Sequence, residues 1–403
     1  MLIVEDDLNF AKILRDLARE IGFKVLWSDK GDRGLKIAKK YQPSAIILDF
    51  CLPAMDGSVV LDRLKHDRDT CHIPVQILTV EPARRFYLSQ GAISCLQKPC
   101  DTEKLSTAIS NLKAISEIEI KNLLLIENDP IQRQNTIDLI GDRDLNIHAV
   151  ASLPEAIEIV KQDRIDCIVV NLEIPATIDF QAIEEIKQQT NSRDLGIVLY
   201  IERKLTDSEK NKLQSLSQTN IIKIARSLEE ILYETTLLLH RKTADLSPEK
   251  QEIIERVEQE NSILANRKIL AIDDDPRNIF ALTSLLERYK IQVIYAESGK
   301  EGIAKLQEDP EIEIVLVDIM MPEMDGYETI RTISSLQQFQ SIPTIALTAK
   351  AMKGDREKCL AAGASDYITK PVEIQELLSL LRVWIYRSRN AQNLNWLSDF
   401  ELE

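Results

Sequence analysis

Glycine is scarce, twelve in 403 residues, and nowhere do these residues cluster into the pattern that cradles nucleotide phosphates. Phosphorylation of any substrate from ATP is therefore not expected of this chain. Apolar runs are short; none approaches eighteen residues, so no membrane-spanning helix is expected. The start MLIVEDD lacks the basic leader and apolar core of a signal peptide. It opens inside what reads as a strand, which suggests a piece of a longer chain. Six cysteines show no CxxC spacing, and a disulfide framework is improbable at this length; reduced, partly buried thiols of a cytoplasmic protein are the expectation. Positive charge is also in deficit. With 50 Lys and Arg against 65 Asp and Glu, the net charge of −15 disfavours binding to nucleic acid or to an anionic membrane surface.

What is present is repetition. Four landmarks recur: an acidic cluster after an apolar tetrad, a polar residue ending an apolar strand, a later strand end, and a lysine. They are Asp6, Asp49, Thr79 and Lys98 in the first unit, spaced by 43, 30 and 19 residues. In the third they are Asp274, Asp318, Thr348 and Lys370, spaced by 44, 30 and 22. The middle unit carries Asn128, Asn171, Ile201 and Lys223 at 43, 30 and 22. Self-similarity at a fixed period is the signature of repeated domains. The strand-end stretches IILDFCLP, IVVNLEIP and VLVDIMMP show the difference: two copies keep an aspartate where the middle one has asparagine.

Within each unit short apolar runs alternate with amphipathic stretches. In the third, KILAI, QVIYA, IEIVLVD, TIALT and DYIT read as strands, and Asp275-Pro276 reads as a helix cap and first helical position. Five βα repeats with nearly continuous apolar strands predict a doubly wound parallel sheet covered by helices on both faces. Loops at the carboxyl ends of such strands converge on one site, and the landmarks all fall there. The boundaries predicted are 1–116, 121–241 and 267–388, with a helical linker over 242–266 and a weakly ordered tail over 389–403. The linker follows from spacing: Asp49 to Asn171 is 122 residues but Asn171 to Asp318 is 147. Ser247-Pro248 starts its helix, and its narrow apolar stripe (Ile253, Ile254, Val257, Leu264) suits a spacer or, less well, a coiled-coil dimer. In the tail, Trp396 and Phe400 offer docking side chains.

Carboxylates brought to one strand-end cleft repel one another, so they require a cation or raised pKa values. All-oxygen ligation with room for water suits Mg²⁺. A carboxylate beside such a metal can attack a phosphoryl group and form an acyl phosphate, with the metal and an ammonium neutralising the transferred charge. Acids at helix starts are commonly caps, so EDD alone is ambiguous. The joint pattern is not.

Units one and three resemble response-regulator receiver domains of two-component signalling, through IVEDD and AIDDD, MPEMDGYE, and ALTAKAMKGDREKCLAAGASDYITKP. FAKILRDLAREIGFKV and RLKHDRDTCHIPV are similar to the first receiver of multi-receiver tails. The resemblance implies three tandem flavodoxin-like (βα)5 domains with strand order 2-1-3-4-5, forming the C-terminal receivers of a hybrid sensor histidine kinase. It implies Asp49 and Asp318 as phosphoacceptors. The acidic pairs Glu5/Asp6 and Asp273/Asp274, with the carbonyls of Cys51 and Met320, would hold Mg²⁺. Thr79 and Thr348 would be switch hydroxyls, Lys98 and Lys370 the phosphate-binding lysines, each followed by a cis proline, and Tyr367 the switch aromatic. Unit one has Val80 where the third has Ala349, and Cys95 in place of that aromatic. The middle unit is degenerate: Glu127 survives, but Asn128, Asn171 and Ile201 replace functional residues, Ile224 follows Lys223, and Asp129 is expected to be a helix cap. Implied partners are a histidine kinase core or a histidine phosphotransfer protein, with dimerisation through receiver surfaces or the linker left open. Among the histidines (His66, His72, His148, His240), His240 lacks the flanks of a phosphorylated histidine and is expected at a helix end, favoured by the dipole. Competing readings are a stand-alone multi-receiver regulator and a phosphorylation-independent interaction protein. A flavin site is disfavoured by the carboxylates at the switch point.

Overall fold

The computed structural model describes residues 1–53, 55–80, 87–88, 90–171, 186, 195–203, 221–260, 264–349 and 355–398. The stretch after Asn171, with Pro175, and Phe400 in the tail lie outside them.

Three five-stranded, all-parallel sheets follow one another along the chain. The first comprises β1 (Leu2–Val4), β2 (Leu26–Ser28), β3 (Ile46–Asp49), β4 (Val75–Thr79) and β5 (Ser94–Gln97), ordered β2-β1-β3-β4-β5. The second comprises β6 (Lys121–Ile126), β7 (Leu145–Val150), β8 (Cys167–Asn171), β9 (Gly196–Tyr200) and β10 (Ile221–Ala225), ordered β7-β6-β8-β9-β10. The third comprises β11 (Lys268–Ile272), β12 (Gln292–Ala296), β13 (Ile312–Asp318), β14 (Thr344–Thr348) and β15 (Asp366–Thr369), again in the order 2-1-3-4-5. The expected α/β fold is present three times. Two compact units result: Met1–Val257 carries the first two sheets and Glu258–Glu403 the third.

Period-two alternation builds the cores. In the first sheet Leu2, Val4, Ile46 and Leu48 face one helical layer while Ile3, Ile47 and Leu78 face the other, all buried. Strands buried on both faces must be apolar throughout, and IIL in β3 and VLV in β13 are. Each first helix starts on an aspartate whose carboxylate accepts backbone N–H groups: Asp7 before Leu8–Glu20, Asp129 before Pro130–Ile140, Asp275 before Pro276–Glu287. Asp129 is thus the cap that its position suggested.

Two expectations are corrected. The linker helix, Pro248–Glu260, is not a free spacer. Ile254 is buried, with Leu246, in the core beneath the second sheet, and Lys250 donates to the carbonyl of Gly141. Ile254 and Val257 are covered within the chain, so the stripe is not available for a coiled coil. At the other end, the last helix runs from Ile374 to Ser398 and so reaches into the tail. His240 follows the helix Leu228–Leu238 at φ +52°, with Nδ1 of its ring buried. Burial, and then the charges of Lys65 and Lys121, drive its pKa well below the usual histidine value, which leaves it neutral rather than a dipole-favoured cation.

His240 lies where the first two receivers meet. Cys71 Sγ is 3.5 Å from Thr243 Oγ1, Arg68 pairs with Glu255 on the linker helix, and buried Lys65 donates to the carbonyls of Cys71 and Ile73. Burial also lowers His72, to about 4, with Lys242 and Lys65 adding to the effect. A neutral His72 binds fewer protons than its unfolded counterpart between pH 6.5 and about 4, so its contribution to stability is complete above pH 6.5 and is lost as pH falls through that window. Thermal unfolding of wild type and His72→Gln from pH 8 to 4 checks this: the variant should lose less stability on acidification, and parallel curves would contradict it.

Candidate functional site

Parallel pairing puts the ends of β1, β3 and β4 side by side, and with them the first candidate site. Glu5 follows β1, Asp49 closes β3 opposite Leu78, and Thr79 closes β4 opposite Gln97. Lys98 comes next, its backbone N–H donating to Thr79 O at 2.6 Å, and the Lys98–Pro99 bond is cis. Lys98 Nζ reaches Glu5 Oε2 at 2.9 Å and Asp49 Oδ1 at 3.1 Å. The third sheet repeats the arrangement with a cis Lys370–Pro371 bond: Lys370 Nζ lies 2.7 Å from Asp273 Oδ2 and 3.1 Å from Asp318 Oδ2. In both clefts the phosphoacceptor candidate and one acid are buried while Asp6 or Asp274 stays exposed. The carboxylate oxygens of Glu5, Asp6 and Asp49 lie within 4.8 Å of one another, as do those of Asp273, Asp274 and Asp318. Three convergent oxygen donors with one face open to water fit Mg²⁺.

The electrostatics follow from this crowding. Burial pushes the Glu5 carboxyl up to about 7, Asp49 adds to the shift, and Lys98 opposes it. Burial disfavours the ammonium groups of Lys98 and Lys370, yet the carboxylates they touch outweigh it and raise both pKa values. Cys51 and Met320, two residues beyond each aspartate, are exposed. Cys51 also donates its N–H toward Asp49 Oδ1 at 3.4 Å. Cys95 pairs with Ile77 and Tyr367 with Ala346, each two residues before the threonine, so they occupy equivalent positions.

Some residues at the site carry no clear signal in the sequence. The residue five beyond the first acid differs in each unit and always touches the cleft. Phe10 lies under Lys98 Nζ at 4.7 Å, Gln132 accepts from Asn171, and Asn278 donates to both Asp273 oxygens. Gly57 and Gly326 also belong to the site, and the MDG that recurs in both intact units is their one trace in the sequence. A Cβ on Gly326 would stand 2.2 Å from Asp318 O, and one on Gly57 2.6 Å from Asp49 O, so only glycine lets this helix start close over the aspartate loop.

The middle cleft is closed on itself. Asn171 Nδ2 donates to Glu127 Oε2 at 2.5 Å and to Gln132 Oε1 at 3.2 Å, and Arg133 holds the carbonyl of Glu127. An amide thus stands where an ammonium bridges the acids elsewhere. Ile201 replaces the hydroxyl, buried in the core. Lys223 is not at the site. Asn171 pairs with Tyr200 and Tyr200 with Ala225, so the position two beyond that pair, held by Lys98 and Lys370 in the other units, is Ser227. Lys223 sits four residues earlier, within β10, with Nζ 3.9 Å from Glu234 Oε2. Ser227 instead caps the last helix of that domain through Glu230 N–H. The equal spacing of 22 residues concealed this slip.

Fold and clefts together define three α/β modules, two of which gather acids and a lysine at the carboxyl edge of the sheet. The profile of the response regulator receiver domain matches residues 1–110, 123–220 and 269–382, and the chain belongs to that family, with three receivers in tandem. It is 26% identical over 268 residues to the signal transduction histidine-protein kinase BarA of Escherichia coli K12, which covers 65% of this chain and 27% of BarA. Sensor protein GacS of Pseudomonas syringae pv. syringae is 33% identical over 120 residues, 29% of this chain and 13% of GacS. The chain therefore spans about a quarter or less of these relatives. Among solved structures, the receiver domain of the sensor histidine kinase PA1611 from Pseudomonas aeruginosa PAO1, with magnesium in its active-site cleft, is 34% identical. It covers 30% of this chain and 98% of its own, with a TM-score of 0.29. No helix among the described residues is long and apolar enough to cross a membrane.

The middle cleft yields a sharp expectation. Asn171→Asp sets a second carboxylate against Glu127 Oε2 and Gln132 Oε1, with no ammonium beside them among the described residues, which should cost roughly 1–3 kcal/mol in unfolding experiments. It should restore no phosphorylation by mass spectrometry; a phosphate gained by this single change would contradict the account.

Proposed function

We propose that this chain is a phosphorelay segment in which Asp49 and Asp318 accept phosphoryl groups from phosphohistidine, while the middle receiver, unable to do so, holds the fold. One observation carries the reading. Two of the three clefts join an acid pair, a buried aspartate and a bridging lysine, and among the described residues the third has an amide and no lysine. The domains proposed are 1–116, 121–241 and 267–388, with linker residues 242–260 assigned to the body of the second receiver.

In each working cleft the aspartate oxygen attacks phosphorus as the bond to the histidine nitrogen breaks, and the imidazole leaves with the electron pair. Glu5, Asp6, Asp49 and the Cys51 carbonyl, or Asp273, Asp274, Asp318 and the Met320 carbonyl, would hold Mg²⁺, which would supply positive charge against the phosphoryl oxygens. Lys98 or Lys370, already beside the aspartate, contributes the second positive charge. Thr79 or Thr348 then turns its hydroxyl to the new phosphoryl oxygens. In the third receiver this movement frees the space that Tyr367 enters, changing the face formed by β14, β15 and their helices. The partner is a histidine kinase core or a histidine phosphotransfer protein, working in the cytoplasm. BarA and GacS are larger proteins named as a histidine kinase and a sensor, and a parent hybrid kinase is the assembly we propose for this segment.

Intact mass after treatment with acetyl phosphate and Mg²⁺ tests the assignment. Wild type should take up two phosphates, Asp49→Asn and Asp318→Asn one each, and the double variant none. A phosphate remaining on the double variant would overturn it.

A further inference from the structure

The first receiver lacks an aromatic at Cys95, yet its switch hydroxyl is not without an aromatic neighbour. Thr79 Oγ1 lies 3.4 Å from the hydroxyl of Tyr87, and both residues are fully buried. The Tyr87 ring packs edge-on against Phe50, with centroids 4.7 Å apart and planes at 65°. Phe50 directly follows Asp49, and Gly57 N–H donates to its carbonyl at 2.9 Å. Tyr87 therefore touches both the switch residue and the loop that carries the phosphoacceptor. Cys95 packs against the same cluster as Tyr87 and Phe50, so the small side chain on β5 and the large one at position 87 share one space.

We infer that Tyr87 is a positioning residue that holds Thr79 in its resting orientation and sets how readily receiver one adopts the phosphorylated state. This rests on the reading of Asp49 as phosphoacceptor. At 3.4 Å the contact is at the outer limit of a hydrogen bond, so any displacement of Thr79 Oγ1 away from Tyr87 breaks it. Rearrangement toward the phosphoryl group must therefore give up this contact, which biases the receiver toward rest. A tyrosine on β5, as in the third receiver, stands at the opposite side of the exchange: Tyr367 is half-buried and packed at the edge of its core cluster, from where it can move after the threonine. The two working receivers thus differ in set point while sharing their chemistry.

Tyr87→Phe retains the ring against Phe50 and removes only the hydroxyl, so the fold is preserved. Beryllofluoride with Mg²⁺, a phosphoryl mimic, is titrated into full-length chains carrying Asp318→Asn to silence the third receiver. Tyr87→Phe should tighten beryllofluoride binding about two- to three-fold, the low end of what one hydrogen bond contributes, as suits a contact this long. Its affinity for Mg²⁺ alone, which does not draw on Thr79, should stay unchanged. In a Thr79→Val background the same substitution should have no effect on beryllofluoride affinity. Equal or weaker beryllofluoride binding in Tyr87→Phe, or an equal gain in the Thr79→Val background, would overturn the role of Tyr87 alone. Absence of beryllofluoride binding in every protein would overturn the phosphoacceptor reading and this inference with it.

Discussion

Everything at these clefts depends on keeping several carboxylates together at the open edge of a parallel sheet. Two unit charges 4 Å apart repel by about 4 kcal/mol at an effective dielectric near 20, and each intact cleft gathers three. One lysine in each of these two receivers offsets part of this. Lys98 and Lys370 each bridge an acid and the aspartate within 3.1 Å, and the carboxylates in turn raise the pKa of the ammonium. Burial, with Asp49 adding to it, still pushes Glu5 up to about 7 against the pull of Lys98.

The middle receiver shows the consequence of losing the lysine. Among the described residues no ammonium stands at the strand end, where Ser227 occupies the lysine position, and Asn171 satisfies Glu127 Oε2 as a neutral donor. The core of this receiver takes in the linker helix, and its end touches receiver one through Thr243 and Glu255. Neutral His240 belongs to that seam, whose packing shields its ring nitrogen Nδ1 from water.

Fold class and the two acid clusters were legible because they rest on period-two burial and on residue types that serve one chemistry, whereas strand order came only with the family resemblance. What escaped the sequence depended on register or on distant packing. Counting to Lys223 matched the other units, yet pairing of β9 with β10 puts Ser227 at the lysine position, and a compensating length change leaves no trace in composition. The linker stripe looked narrow enough for a spacer because its partners, Leu246 and the core of the second sheet, lie upstream. Tyr87 and Phe10 act from positions that carry different residues in the other copies, so repetition, the strongest signal in the chain, pointed away from them.

Calorimetric titration of the intact chain with Mg²⁺ tests the central claim most directly, since metal binding reports the carboxylate clusters without requiring a phosphodonor. Two equivalents per chain are predicted, falling to one in Asp49→Asn or Asp318→Asn and to none in the double variant. Three equivalents, or two retained when both aspartates are replaced, would contradict the account.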